Sequence, residues 1–121
     1  EAKMSIDAAA FADVLVTDIE RTLIDITVRP VYAGGVAEVL KAFENAKNLV
    51  SGNRLRATLK KLDYLYPFHQ AIGFYLERAG YKESTISLFR ELPQTLDFYL
   101  THNMSETDYL PHWGLYIPKG L

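Results

Sequence analysis

The 121 residues contain no cysteine, which excludes disulfides, thiolate metal sites, thiol nucleophiles and iron-sulfur clusters together. No run approaches the roughly 18 to 20 apolar residues of a membrane span. The opening EAKMSIDAAAFAD lacks the basic-then-apolar order of a secretory signal. These absences lead us to expect a soluble, cytoplasmic protein without membrane contact. Charge of one sign is also lacking: 13 basic and 15 acidic residues leave a formal net charge of -2. No overall field therefore draws a polyanion, and any nucleic-acid contact has to come from a local patch. There is no glycine-rich phosphate loop, GxSxG elbow, HExxH spacing, internal repeat or low-complexity tract.

What is present is one domain's worth of chain, 49% hydrophobic and 23% charged, enough to bury a single core. DVLVT (13 to 17) is β-branched and reads as a strand. Thr17 followed by Glu20 has the spacing of a capping box, so a helix is expected to start there. Ile19, Leu23 and Ile26 lie along one face of that helix and Arg21 and Asp25 pair on its flank. Arg29-Pro30 ends it.

Gly34-Gly35 leads into the most regular segment, where Val36, Val39, Leu40, Phe43, Ala46 and Val50 trace an apolar stripe with Glu38, Lys41, Glu44 and Lys47 off it. Each large side chain buried there contributes roughly 1.5 to 3 kcal/mol before entropy is subtracted. Ser51-Gly52-Asn53 breaks the pattern, and Leu55, Leu59 and Leu62 begin another helix at about residue 54. Pro67 suits the first turn of a fourth, with Phe68, Ile72, Tyr75, Leu76 and Ala79 inward and Gly80 as its stop. Gly73, inside that helix, implies a neighbour that tolerates no side chain.

ESTISLFRELP reads as a short helix capped by Ser84, although a strand is nearly as compatible over so short a run. LDFYLTHNM and HWGLYIP are aromatic and β-prone and suggest an antiparallel pair, with SETDYLP as the turn-rich segment between them. The expected class is α+β: four to five helices packed with a small antiparallel sheet built largely from the C-terminal third.

Candidate chemistry is sparse. His69, His102 and His112 are far apart in sequence, and each has a plain structural role available as a core-edge or strand-edge residue. A metal-dependent nuclease needs converging carboxylates and a lysine around one cation. Asp18, Glu20 and Asp25 are accounted for by cap, box and ion pair, and the one ExK, Glu1-Ala2-Lys3, has no strand around it. The basic run is the more informative feature. Lys47, Arg54, Arg56, Lys60 and Lys61 occur between Asn45 and Leu62 without an acid, and Tyr64 and Tyr66 follow. A solvated helix face is the commoner explanation of such a run. The functional alternatives are an acidic protein surface or nucleic-acid phosphates.

Taken in order, V-T-D-I-E-R-T-L-I-D, R-P-V-Y-A-G-G-V-A-E-V-L, H-Q-A-I-G-F-Y-L-E-R-A-G, F-Y-L and W-G-L-Y-I-P give a pattern that resembles the C-terminal domain of AbiEi-type antitoxins. These are the antitoxin halves of bacterial abortive-infection type IV toxin-antitoxin systems, often described as transcriptional regulators. The likeness covers about residues 14 to 121, a single domain, and its specific blocks are ERTLID and the tyrosine followed by two glycines.

The resemblance implies a non-enzymatic domain that neutralises a nucleotidyltransferase-like toxin. In the full-length family protein it is coupled to a winged helix-turn-helix that binds operator DNA and represses its own operon. No room for that winged domain is expected ahead of residue 14. Glu20, Arg21, Asp25, Gly34 and Gly35 become structural family positions, and Arg54, Arg56, Lys60 and Lys61 become the matching candidates for DNA contact. No cofactor, metal or catalytic residue carries over. The alternative is a stand-alone nucleic-acid-binding or nuclease-like domain using the basic helix 54 to 61.

Overall fold

The computed structural model describes residues 18–121; the strand expected over 13–17 and the Thr17 half of the capping box lie outside them. Helix α1 (Ile19–Val28) buries Ile19, Leu23 and Ile26 as their spacing requires, together with Ile24. It stops at Arg29, where Pro30 opens a single 3-10 turn (Pro30–Ala33). Arg21 and Asp25 pair at 3.2 Å on its exposed flank.

Asp18 is the N-cap of α1 and its side chain makes no capping hydrogen bond, so Glu20 stands at the second helical position, not the third that a capping box uses. The Glu20 side chain is buried, and Oε2 accepts a 2.9 Å hydrogen bond from the Ser51 amide, 31 residues on. Ser51 in turn caps helix α3 (Gly52–Leu62), its hydroxyl accepting from the Arg54 amide at 3.2 Å. The third position of α3, Arg54, is a cation and cannot accept from the cap amide. Glu20 supplies that acceptor from another helix.

Helix α2 (Val36–Asn45) begins after Gly34 and Gly35, both at positive φ, 99° and 113°. Side chains are strained in that region, so the glycine pair is what lets the 3-10 turn pass directly into α2. Val39, Ala42, Phe43 and Ala46 are buried, but the helix ends at Asn45, and Val50 packs against the core from outside it. Helix α4 (Phe68–Arg78) is the central element, with every residue from Gln70 to Leu76 buried. A Cβ at Gly73 would fall 2.2 Å from the Trp113 ring, which identifies the neighbour the glycine accommodates. Phe43 stacks on Tyr75 with centroids 5.0 Å apart. The Tyr81 hydroxyl donates to the Phe43 carbonyl at 2.8 Å. Helix α5 (Glu83–Arg90) is capped at Lys82 instead of Ser84, which lies in the first turn.

The C-terminal third holds a small sheet, so the class is α+β, with five α-helices among the described residues. The sheet is mixed, with order β1-β3-β2. Strand β1 (Phe98–Tyr99) runs parallel to β3 (Leu115–Pro118), in place of the antiparallel pairing expected of those two segments. The antiparallel partner of β3 is β2 (Thr107–Leu110), drawn from the segment expected to be only a turn. Residues 111 to 114 form the tight connection that makes β2 and β3 a hairpin, with the Trp113 amide bonded to the Leu110 carbonyl. Once β2 occupies that edge of β3, only the opposite edge is open to β1. No helix of the described residues is long and apolar enough to cross a membrane.

Candidate functional site

The connection from α3 to α4 brings Tyr64, Leu65 and Tyr66 to the surface, with Leu65 91% exposed and Tyr66 59%. Their rings extend an aromatic cluster. Phe68 meets Tyr64 at 5.1 Å and Phe98 at 5.2 Å, both edge to face, and Tyr66 lies 6.4 Å from each phenylalanine. Tyr66 and Phe68 line both of two adjoining hollows, a two-lobed cleft divided at these two rings.

The smaller hollow, about 310 Å³, carries Arg56 and Lys60 from α3, with Asp63, His69 and Leu92 around them. The spacing of four places Arg56 and Lys60 on one face, and the left-handed turn at Asp63 (φ 52°) carries the chain from α3 to the tyrosines. Neither cation forms an ion pair among the described residues. His69 Nε2 lies 2.9 Å from the Pro93 carbonyl. Desolvation holds its pKa below the ordinary histidine value despite that bond, so at neutral pH the ring is an uncharged donor.

The larger hollow, about 630 Å³, runs beside β1. Residues 96 to 104, including Leu96, Phe98 and Tyr99, line one side; Thr27, Val28 and Pro30 at the end of α1 complete the other with Tyr66 and Phe68. Gln70 positions this region. Fully buried on α4, its Nε2 reaches the carbonyls of Leu96, Trp113 and Gly114 at 3.0, 2.8 and 3.2 Å, while its Oε1 accepts from the Thr95 amide at 3.2 Å. One side chain thus ties the segment leading into β1 to the start of β3.

Of the positions singled out from sequence, Arg56, Lys60, Tyr64 and Tyr66 come together in the cleft. Arg54 and Lys61 do not join them: at about 100° per residue they project roughly 130° away around α3. The basic run is thus two pairs, not one patch. Lys47 is diverted to the scaffold, its Nζ donating to the Ala79 carbonyl at the end of α4 at 3.1 Å. Arg21, Asp25, Gly34 and Gly35 belong to helix flank and turn, and Glu20 to the bond with Ser51.

Asp18, Glu20 and Asp25 do not share a site, and no group of three or more His, Asp or Glu side chains is placed to hold a metal ion among the described residues. The histidines are separated as well. His102 lines the larger hollow and His69 the smaller, while His112 Nε2 lies 2.9 Å from Glu77 Oε1. Leu96, Phe98, Tyr99 and Gln70 were not evident as site residues from sequence. The alternation over DFYL signals a strand, but which face and edge it leaves open depends on the pairing partner. Comparison with family models, with curated proteins and with solved structures gave no match.

Proposed function

We propose that this domain acts by binding a protein partner in the two-lobed cleft and catalyses no reaction. The observation that carries this reading is the cleft itself: exposed aromatic and aliphatic surface at Tyr66, Leu96 and Tyr99 adjoins Arg56 and Lys60, which form no ion pair among the described residues. Aromatic residues and arginine around an apolar centre are the typical anchors of protein interfaces. The carboxylates of the first described helix support the same reading from the other side. Glu20 is spent on the Ser51 amide and Asp25 on Arg21, so neither is presented in an open site for acid-base or metal chemistry.

The resemblance to AbiEi-type antitoxins supplies the partner: a nucleotidyltransferase-like toxin met in the cytoplasm. Operator binding and autoregulation belong to the full-length protein. The separation of Arg54 and Lys61 from Arg56 and Lys60 weighs against the alternative of a stand-alone nucleic-acid or nuclease-like domain, because a continuous phosphate track would draw on all four.

Co-expression with a nucleotidyltransferase-like protein encoded beside this chain tests the proposal. We expect the chain to rescue growth, and rescue to be lost on combining Arg56→Glu with Lys60→Glu or on Tyr66→Glu. Full rescue by all of these variants would refute the cleft as the partner site, and turnover of a nucleotide by the purified chain would refute the non-enzymatic reading.

A further inference from the structure

The sheet carries an aromatic ladder that ends at an open edge. Tyr99 on β1 is opposite Tyr116 on β3, which is opposite Tyr109 on β2. Tyr99 and Tyr116 stack with centroids 4.6 Å apart and planes 14° from parallel, and Tyr109 follows at 4.8 Å. Phe98, Leu115 and Ile117 take the opposite, core-facing side of the sheet. The Tyr109 hydroxyl donates to Asp97 Oδ1 at 2.6 Å, tying the ladder to the residue just before β1. Tyr116 is thus covered on both faces. Tyr99 is covered on one and is 58% exposed.

The backbone at the same place is also unfinished. The Phe98 and Leu100 amides donate to the Gly114 and Tyr116 carbonyls at 2.8 and 2.9 Å. Strand alternation therefore turns the Tyr99 N–H and C=O to the side away from β3, where no strand pairs among the described residues. The larger hollow runs along this segment, and on the far side of Tyr66 and Phe68 the smaller hollow holds Arg56 and Lys60.

We infer that the cleft takes an extended segment of the partner protein, added as a fourth strand along β1, with an aromatic side chain opposite Tyr99 and an acidic residue reaching Arg56 and Lys60. The inference rests on the cleft being the partner site and specifies what enters it. An added strand would lie about 4.8 Å from β1, the spacing at which its side chains continue a cross-strand stack. Backbone pairing would supply affinity, and the two hollows would supply specificity. The cations select the occupant: Arg56 and Lys60, which form no ion pair among the described residues and outnumber Asp63 in their hollow, complement an acidic end on a β-prone segment. A nucleic-acid strand fits less well, because Phe68 is packed edge to face against Tyr64 and Phe98 and offers no open face to a base, and because Arg54 and Lys61 lie on another face of α3 and cannot extend a phosphate track.

The test uses the full chain and peptides of about ten residues selected on it from a random display library, the selected peptide being labelled for anisotropy titration. We expect selected sequences rich in β-branched and aromatic residues with Asp or Glu toward one end, and slowed exchange of the Tyr99 amide on binding. Tyr99→Pro removes only an outward N–H, a replacement an edge strand accepts, and with the ring also lost it should weaken binding by about tenfold or more. Tyr99→Thr, which keeps the N–H, should weaken it less. Arg56→Glu with Lys60→Glu should reverse the preference for acids.

Unchanged affinity in Tyr99→Pro, selection of basic or proline-rich peptides, a Tyr99 amide already protected in the free chain, self-association through β1, or preferential binding of an oligonucleotide would each overturn the inference. If Arg56→Glu with Lys60→Glu abolishes rescue in cells while Tyr99→Pro neither loses rescue nor peptide affinity, the added strand is wrong and the cleft stands. If both variants and Tyr66→Glu rescue fully, both proposals fail.

Discussion

Gly73 and Trp113 show how one position in a helix is decided by a residue 40 places away. Alanine would favour the helix by about 1 kcal/mol over glycine, yet its Cβ would meet the indole at 2.2 Å, with two further ring atoms inside 3 Å. The indole cannot simply swing aside, because its Nε1 donates to Glu77 Oε1 at 2.7 Å. Overpacking of this kind costs about 1 to 3 kcal/mol, so Gly73→Ala is expected to be destabilising despite its better propensity. Urea unfolding measures the balance; a net gain in stability would show that the Trp113 ring is free to move.

Between elements, the chain joins α1 to the start of α3 through one carboxylate. A capping box ordinarily closes on itself within four residues, but Arg54 stands where the acceptor belongs and Glu20 completes the box from α1. Ser51 is itself exposed, so water partly replaces the buried carboxylate and the loss falls at the low end of the cost of an unsatisfied group, about 1 kcal/mol. Glu20→Ala should lose that much in denaturant unfolding and speed amide exchange at Ser51 and Arg54. Glu20→Gln, which keeps an acceptor oxygen, should lose less. Equal stability for Glu20→Ala and the parent would mean that water replaces the carboxylate without penalty.

Across the whole molecule, helices and sheet are held together by few polar ties, Gln70 and Glu77 chief among them. Desolvation pushes the Glu77 carboxyl up, but hydrogen bonds from Trp113 and His112, with the charges of His112 and Arg90, outweigh it and hold the group below its ordinary range. A depressed folded-state pKa contributes stability that is fully present above the unfolded value, about 4.3, and is lost as pH falls through the folded one. Urea unfolding across this acid range should show such a loss in the parent and a flatter profile in Glu77→Gln. Parallel profiles would remove Glu77 from the account of acid sensitivity.

Helix positions were legible in the chain because apolar periodicity and Gly and Pro punctuation act over a few residues: Ile19, Leu23 and Ile26 on α1, Val39 and Phe43 on α2, and Gly80 after α4 all serve as their spacing implies, while Pro67 stands one place earlier than expected, as the N-cap of α4 and not in its first turn. The grouping of Arg56 and Lys60 with Tyr64 and Tyr66 was half legible, since local helical spacing unites the first pair and adjacency brings the second. Their separation from Arg54 and Lys61 follows from the same helical step once α3 is granted, whereas that from Lys47 required the approach of the chain after α2 to the end of α4.

The sequence by itself determined that LDFYLTHNM and HWGLYIP favour extended backbone, because aromatic and β-branched side chains suit a pleated surface. Only the tertiary structure decided that β1 pairs parallel to β3 and leaves its other edge and the Tyr99 ring open. Strand pairing is a long-range choice, settled by which edges remain after the hairpin closes and by where Gln70 anchors the chain, and local preference carries no record of either.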